Sequence, residues 1–228
     1  MPHQPGDPFA LVIFDNDGVL VDSERLANRV LADLLTEHGW PRTVDECAAM
    51  FNDGLVRGQT LARVRDAFTR VTFRDLPAAF DIAYQERLFA GFRAGLATVA
   101  GVLGVLDRLD ALGVPFCLAS SGTRDRILAT LQSIGLLPRF AGRIFSAEAV
   151  AHPKPAPDLY LHAAEAFGVD PARCAVVEDS PAGVDAARAA GMTVFGYTAV
   201  SPPARLGGAH ALFQSMDDLP DLLLAGVA

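Results

Sequence analysis

The feature that most constrains the fold of this chain is a short apolar run that ends in acidic residues. Residues 9–14 are six apolar residues, and Asp15, Asn16, Asp17 and Gly18 follow them directly. Such a run is too short to cross a membrane and suits a strand buried on both faces, as in the middle of a parallel sheet. Ligands of these sheets bind beyond the carboxyl ends of the strands, where Asp15 and Asp17 would lie. The run therefore predicts a buried strand with a reactive site at its end.

Two other interpretations of the acidic segment have to be weighed. Asp-x-Asp-Gly also occurs in calcium-binding loops, but in that register the first ligand position is Ile13, and a strand rather than a helix precedes it. The calcium interpretation is therefore poor. Asp, Asn and Gly are also common turn residues, so a turn without chemistry is an open alternative for this segment taken alone.

The rest of the chain divides into a helical segment and an alternation of helices and strands. Residues 22–95 have apolar residues at helical spacing, which predicts a small helical cap domain inserted after the first strand. From Gly101 onward, helices alternate with short apolar strands that end in polar residues. This alternation predicts an α/β fold with a doubly wound, Rossmann-like parallel sheet. Residues 1–21 and 96–228 would form that core domain.

Charge and composition exclude several classes of partner. The 228 residues carry a net charge of −8, whereas nucleic acid and anionic membranes both require a basic face on the protein. The first residues lack the basic start of a signal peptide, and no apolar run is long enough to span a membrane, so we expect a cytoplasmic location. For the oligomeric state we expect a monomer or weak dimer. The cysteines Cys47, Cys117 and Cys174 have neither metal-ligand nor redox spacing, and the last two are expected in the core.

Four polar clusters follow apolar segments of the predicted sheet: Asp15/Asp17, Ser120/Ser121, Lys154 and Glu178/Asp179. Because the carboxyl ends of parallel strands share one edge, these side chains should meet there. Four crowded carboxylates would repel each other, and Mg²⁺ would keep them ionised while accepting all-oxygen ligands. A serine hydroxyl, helix N–H groups and one ammonium group could together hold a phosphate. Taken alone, however, Lys154 would be interpreted as an exposed lysine and Glu178 with Asp179 as the start of a capped helix.

In these segments the chain resembles the haloacid dehalogenase superfamily, in particular its capped phosphatases and the β-phosphoglucomutase-like phosphomutases. The matching segments are residues 14–24, 118–122, 154–158 and 177–183, in that family's order. The resemblance implies a phosphoric monoester hydrolase in which Asp15 is the nucleophile that forms an aspartyl-phosphate and Asp17 is the general acid and then the base.

The same resemblance implies how the cofactor and the substrate are held. Mg²⁺ would be bound by Asp15, the backbone carbonyl of Asp17 and Asp179, with Glu178 beside it. The phosphoryl group would be bound by Ser120, with Ser121 next to it, and by Lys154.

Three further positions bear on substrate and outcome. Asn16 stands where the family usually carries an apolar residue or cysteine, which predicts a more polar pocket floor. Arg57 matches in position a substrate-contacting arginine of related mutases, although isolated arginines are mostly exposed. Ala27 stands where related hexose-phosphate mutases carry a histidine, so water should remain a competent acceptor. These positions predict net phosphate release from a small phosphorylated substrate such as a sugar phosphate, with a mutase as the alternative.

A phospho-accepting receiver module is the alternative from another class, because it also uses acids, a serine or threonine, a lysine and Mg²⁺. Receiver modules have no helical insertion after the first strand, and their phosphorylated aspartate lies on a later strand. Here the apolar residues 114–119 end in Ser120 and Ser121 instead. The phosphatase is therefore favoured, while its particular substrate does not follow from the sequence.

Overall fold

The computed structural model describes residues 9–51, 60–199 and 201–225, and its centre is a parallel sheet. The strands are β1 (Leu11–Phe14), β2 (Phe116–Ser120), β3 (Ile144–Ser146), β4 (Cys174–Glu178), β5 (Thr193–Tyr197) and β6 (Ala211–Phe213). They pair in the order β3-β2-β1-β4-β5-β6, and every neighbouring pair is parallel. This is the order of a doubly wound sheet whose direction of winding reverses between β1 and β4. The predicted α/β, Rossmann-like fold is confirmed.

Four helices lie between β1 and β2 before the core resumes. They are α1 (Glu24–Glu37), α2 (Val44–Phe51), α3 (Thr60–Thr72) and α4 (Ala79–Ala94). Their buried faces, including those of Leu31, Phe68 and Phe92, form an apolar cluster separate from those of the sheet. The helical periodicity of this segment is therefore confirmed for its described residues. Arg57, the expected substrate contact, lies outside them.

The remaining helices cover both faces of the sheet. They are α5 (Val102–Leu112), α6 (Arg124–Ser133), α7 (Asp158–Phe167), α8 (Pro181–Ala189) and α9 (Leu219–Ala225). On one face, Val12 and Phe14 of β1 pack with residues of α5, α6 and α9; on the other, Leu11 and Ile13 pack with residues of α7 and α8. Successive side chains of a strand point to opposite faces, so a strand between two helical layers has to be apolar throughout.

The chain passes between the sheet and the helical segment at two points that lie side by side. Val21 forms an antiparallel bridge with Thr98, and the backbone N–H of Asp22 donates to the carbonyl of Ala97 at 3.1 Å. These contacts fall close to the boundaries at which the sequence pattern divides core from cap. Within the described ranges, no helix is both long enough and apolar enough to cross a membrane.

Candidate active site

The carboxyl ends of β1 and β4 bring acidic residues together where the strand order reverses. The residues there are each at most 3% exposed: Asp15, Asp17, Glu178 and Asp179. β1 and β4 are directly paired, so the residues that follow them are neighbours. Gly18 completes the turn after β1 with φ +85°, and a Cβ at this position would overlap the carboxylate of Asp179. Glycine therefore allows the turn to approach Asp179 closely.

Lys154 is the cation inside this acidic cluster. Its Nζ donates to Asp15 Oδ1 at 2.8 Å, to Glu178 Oε1 at 2.7 Å and to the backbone carbonyl of Ala119 at 3.0 Å. These bonds use all three protons of the ammonium group. Burial alone would lower the pKa of Lys154, but the carboxylates of Asp15 and Glu178 outweigh it and raise that pKa. Lys154 is thus a charged residue of the sheet edge and not an exposed lysine.

Glu178 is held by hydrogen bonds on both carboxylate oxygens. Oε1 accepts from Lys154 and from the hydroxyl of Tyr160, at 2.8 Å, whereas Oε2 accepts from the backbone N–H groups of Asp179 and Ser180 and from the Ser180 hydroxyl. Burial favours a raised pKa for Glu178, but Lys154 and these donors lower it. Glu178 is therefore ionised and fixes Lys154 in place.

Tyr160 of α7 is a member of this network that the sequence pattern did not reveal. It is fully buried, and its ring centroid lies 4.8 Å from Lys154 Nζ. Burial first, and then the charge of Glu178, raise the pKa of Tyr160 well above its usual value, so its hydroxyl keeps its proton and donates. The sequence offers only a weak signal for Tyr160, because a tyrosine on the apolar face of a helix resembles a core residue. That signal is its hydroxyl, which needs a hydrogen-bond partner when buried.

Asp17 has its own cation, Arg126 of α6, which the sequence pattern also did not reveal. Arg126 Nη2 donates to Asp17 Oδ1 at 3.0 Å, and the Ser23 hydroxyl donates to the same oxygen. The guanidinium of Arg126 lies over the ring of Phe92, 5.4 Å from its centroid. Arg126 thus contacts both Asp17 and the last turn of α4.

Ser120 and Ser121 lie at the end of β2, at the same sheet edge. Ser120 is fully buried, and its hydroxyl accepts a hydrogen bond from the backbone N–H of Gly122 at 3.1 Å. The carbonyl of Ala119, one residue earlier, accepts from Lys154. Ser121 is half-buried and begins the turn into α6. The four polar clusters expected to converge do lie at one edge.

Asn16 lies beside the acidic residues in sequence but faces α6. It is fully buried, and its Nδ2 donates to Thr130 Oγ1 of α6 at 3.0 Å. The expectation of a more polar pocket floor is therefore wrong. The physical reason is that Asn16 lies at a bend in the turn after β1, where its buried side chain reaches α6 and is shielded from solvent.

Three carboxylates of the cluster could hold a metal ion. Asp15, Glu178 and Asp179 each offer an oxygen, and these oxygens lie within 4.8 Å of one another. A buried donor set made only of carboxylate oxygens suits a hard divalent cation such as Mg²⁺. The residues present therefore fit such a cofactor.

A cleft of about 1030 Å³ opens beside Gly18. It lies between the starts of α1 and α2, residues 98–100 and the residues after β5. Its polar lining includes Asp22, Arg25, Asn28, Arg29, Thr43 and Asp45. The cleft is large enough for a small metabolite, and among the residues that the structure describes it reaches the edge of the acidic cluster only through Gly18.

The fold and site define an α/β enzyme with acids at the topological switch point and a helical insertion after the first strand. Residues 9–191 match the family model of the haloacid dehalogenase-like hydrolases. The chain belongs to that family, which confirms the resemblance found in its motifs.

Relatives and solved structures agree with this assignment. Hexitol phosphatase A of Escherichia coli (strain K12) is 30% identical over 91% of this chain and 91% of its own length. Protein Suppressor of Quenching 1 of Arabidopsis thaliana is 36% identical over 79% of this chain, which spans only 17% of that longer protein. A crystal structure of a haloacid dehalogenase family hydrolase from Deinococcus radiodurans R1, with bound phosphate and sodium, has a TM-score of 0.81 and 31% identity and covers 97% of this chain and 99% of its own.

Proposed function

We propose that this enzyme is a Mg²⁺-dependent phosphatase that hydrolyses a small phosphorylated metabolite of the sugar phosphate class. The observation that carries the proposal is the buried cluster in which Asp15 contacts Lys154 beside Glu178 and Asp179. Family membership and the similarity to a hexitol phosphatase support it.

In this proposal Asp15 and Asp17 together carry out phosphoryl transfer in two halves. A carboxylate oxygen of Asp15 attacks phosphorus, the bond from phosphorus to the leaving oxygen breaks, and Asp17 gives that oxygen a proton. The product of this half is an aspartyl-phosphate on Asp15. Asp17 then takes a proton from water, which attacks the same phosphorus and restores Asp15 as phosphate leaves.

The surrounding residues position the phosphoryl group and offset its charge. Asp15, Asp179 and the backbone carbonyl of Asp17 would hold Mg²⁺, with Glu178 beside it. When bound, the cation neutralises the crowded carboxylates and the phosphoryl oxygens. Lys154, on exchanging one of its three acceptors for a phosphoryl oxygen, and Ser120, with Ser121 adjacent, would bind the phosphoryl group, because both lie at the edge where Asp15 follows β1.

We further propose that residues 22–95 act as the cap domain and that the leaving group occupies the cleft beside Gly18. The acidic, basic, amide and hydroxyl side chains that line this cleft suit a hydroxylated leaving group. Ala27 is half-buried and packs on the helical cluster. Its methyl group cannot donate a hydrogen bond that would link cap closure to Asp17, so water is expected to be the acceptor of the phosphoryl group. In this proposal Arg57 contacts the substrate from the cap.

The proposal is tested by a phosphate-release screen over sugar phosphates, nucleotides and phosphoglycolate. We expect release from at least one sugar phosphate, its loss on treatment with EDTA and its recovery with Mg²⁺. Asp15→Asn should reduce kcat at least about a thousandfold because the nucleophile is lost. Asp221→Asn, at an exposed position of α9, is the matched control and should retain the parental rate.

Three results would contradict the proposal. Turnover by Asp15→Asn comparable to that of the parent would exclude the mechanism. Conversion of β-glucose 1-phosphate to glucose 6-phosphate that outruns phosphate release, followed by phosphorus NMR with a bisphosphate primer, would make the enzyme a mutase. Long-lived phosphorylation of a residue other than Asp15 would favour a receiver module.

A further inference from the structure

The contact between Arg126 and Asp17 is a partly buried ion pair that the proposed mechanism does not use. The Asp17 side chain is 2% exposed and that of Arg126 is 25% exposed, with Nη2 3.0 Å from Oδ1. The two residues are 109 positions apart in the chain, so only the fold brings them together. A cation beside a carboxylate that has to exchange protons with the substrate is expected to affect the chemistry, since general acid catalysis depends on geometry first.

Arg126 is itself held from several directions, so its guanidinium is preorganised. Its backbone N–H donates to the hydroxyl of Thr123, the N-cap of α6. Its guanidinium lies over the Phe92 ring, a cation–π arrangement, and donates to Asp17. Arg126 therefore presents its Nη2 to Asp17 from a fixed place on the core.

The second donor to Asp17 comes from the start of the helical insertion. Ser23 precedes α1, the first helix of the insertion, and donates to the same Oδ1 that Arg126 contacts. Two donors on one oxygen, one from α6 and one from the start of the helical insertion, define the rotation of the carboxylate group. Lys154 has the corresponding place at Asp15, so each carboxylate that we propose for the chemistry has its own cation.

We propose that Arg126 is a positioning residue that holds the Asp17 carboxylate in the orientation required for proton transfer to the leaving oxygen. This inference rests on the proposed function. Arg126 acts through Asp17 and does not contact the phosphoryl group, because that group lies with Asp15, Ser120 and Lys154.

In the first half of the reaction, the orientation of Asp17 matters only when the leaving group needs a proton. A sugar alkoxide does, whereas p-nitrophenolate departs readily without one. Arg126→Met should therefore lower the rate of leaving-group release in a single turnover about 10- to 100-fold more for the best sugar phosphate than for p-nitrophenyl phosphate. KM for either substrate should change by less than about threefold, because no binding contact to the phosphoryl group is lost.

Matched variants separate positioning from folding. Arg126→Lys keeps a cation and one donor and should recover part of the lost rate on the sugar phosphate. If the Met variant fails to fold, Arg126→Gln replaces it, because glutamine keeps a hydrogen-bond donor but removes the charge. Arg124→Met, also on α6 but exposed, should match the parent on both substrates. Circular dichroism and thermal melts of each variant establish that it is folded.

Each other outcome overturns the inference in a recognisable way. Equal losses in the single-turnover rate of leaving-group release on both substrates, in folded variants, would assign Arg126 a merely structural role. A rise in KM on both substrates without a difference in kcat would make it a phosphate-binding residue. Unchanged kinetics would remove it from the site, and a parent enzyme that releases phosphate from neither substrate would overturn the proposed function itself.

Discussion

At the scale of single residues, the site depends on how closely Gly183 approaches Glu178. Gly183 lies in the first turn of α8, and a Cβ there would overlap the Glu178 carboxylate. Glu178 accepts hydrogen bonds on both oxygens, so it cannot move aside without giving up Lys154 or the backbone donors at the start of α8. Gly183 has no positive φ, so it is the lack of a side chain that this position requires.

We therefore expect Gly183→Ala to displace Glu178 and, through it, Lys154. Phosphate release should fall at least about tenfold, as expected when a charged group of the site is misplaced by a small distance. Gly104→Ala is the control, because Gly104 is also helical and a Cβ there would meet no atom within 4 Å. That control should keep its kcat and gain about 0.5–1 kcal/mol in the free energy of unfolding. Parental kcat in Gly183→Ala would contradict the role assigned to Glu178.

At the scale of elements, α6 braces the loop that follows β1 through two contacts one helical turn apart. Arg126 contacts Asp17, and Thr130 accepts a hydrogen bond from Asn16. Thr130 Oγ1 also donates to the carbonyl of Ile127, so its hydroxyl has a partner on either side. Asn16 is therefore a polar link between loop and helix, and Thr130 provides the acceptor for its buried amide N–H.

A double-mutant cycle on the free energy of unfolding measures this link. Thr130→Val leaves the buried Nδ2 of Asn16 without its acceptor and should cost about 1–3 kcal/mol. In an Asn16→Ala background the same change should cost less, with a coupling energy of about 0.5–1.5 kcal/mol from urea unfolding. Costs that simply add would mean that the hydrogen bond contributes nothing to the brace.

The elements were largely predictable from the sequence because local periodicity determines them. The apolar spacing of residues 102–112 and 158–167 predicts helices, and these match α5 and α7; the polar ends of the strands predicted the site edge. Arg126 and Tyr160 could not be found in this way. Arg126 lies in a helix whose exposed positions are also polar, and it becomes a site residue only because α6 packs beside the loop that follows β1. Tyr160 has the burial of any core aromatic residue, and its function depends on Glu178 from a different strand.

At the scale of the whole molecule, the apolar interior is divided between the helical segment and the two faces of the sheet. Cys47 belongs to the cluster of α1–α4, whereas Cys117 and Cys174 belong to the cluster between the sheet and α7 and α8. Burial raises the pKa of Cys47 to about 11 and that of Cys174 to about 12, and it raises the pKa of Cys117 further. At neutral pH the native protein should therefore react very slowly with iodoacetamide, because its thiols are both inaccessible and protonated.

These thiols report whether the proposed cap and core open separately. The helical cluster is the smaller one, and the chain enters and leaves its helices at the adjacent positions Val21 and Thr98. Small units bury less of their surface and are less stable, so the cap should open at a lower urea concentration than the sheet. Pulse labelling with iodoacetamide across a urea series, followed by peptide mass spectrometry, should show Cys47 modified first and Cys117 and Cys174 together at higher urea. Equal midpoints for all three thiols would instead show a single cooperative unit and would contradict the division at residues 22–95.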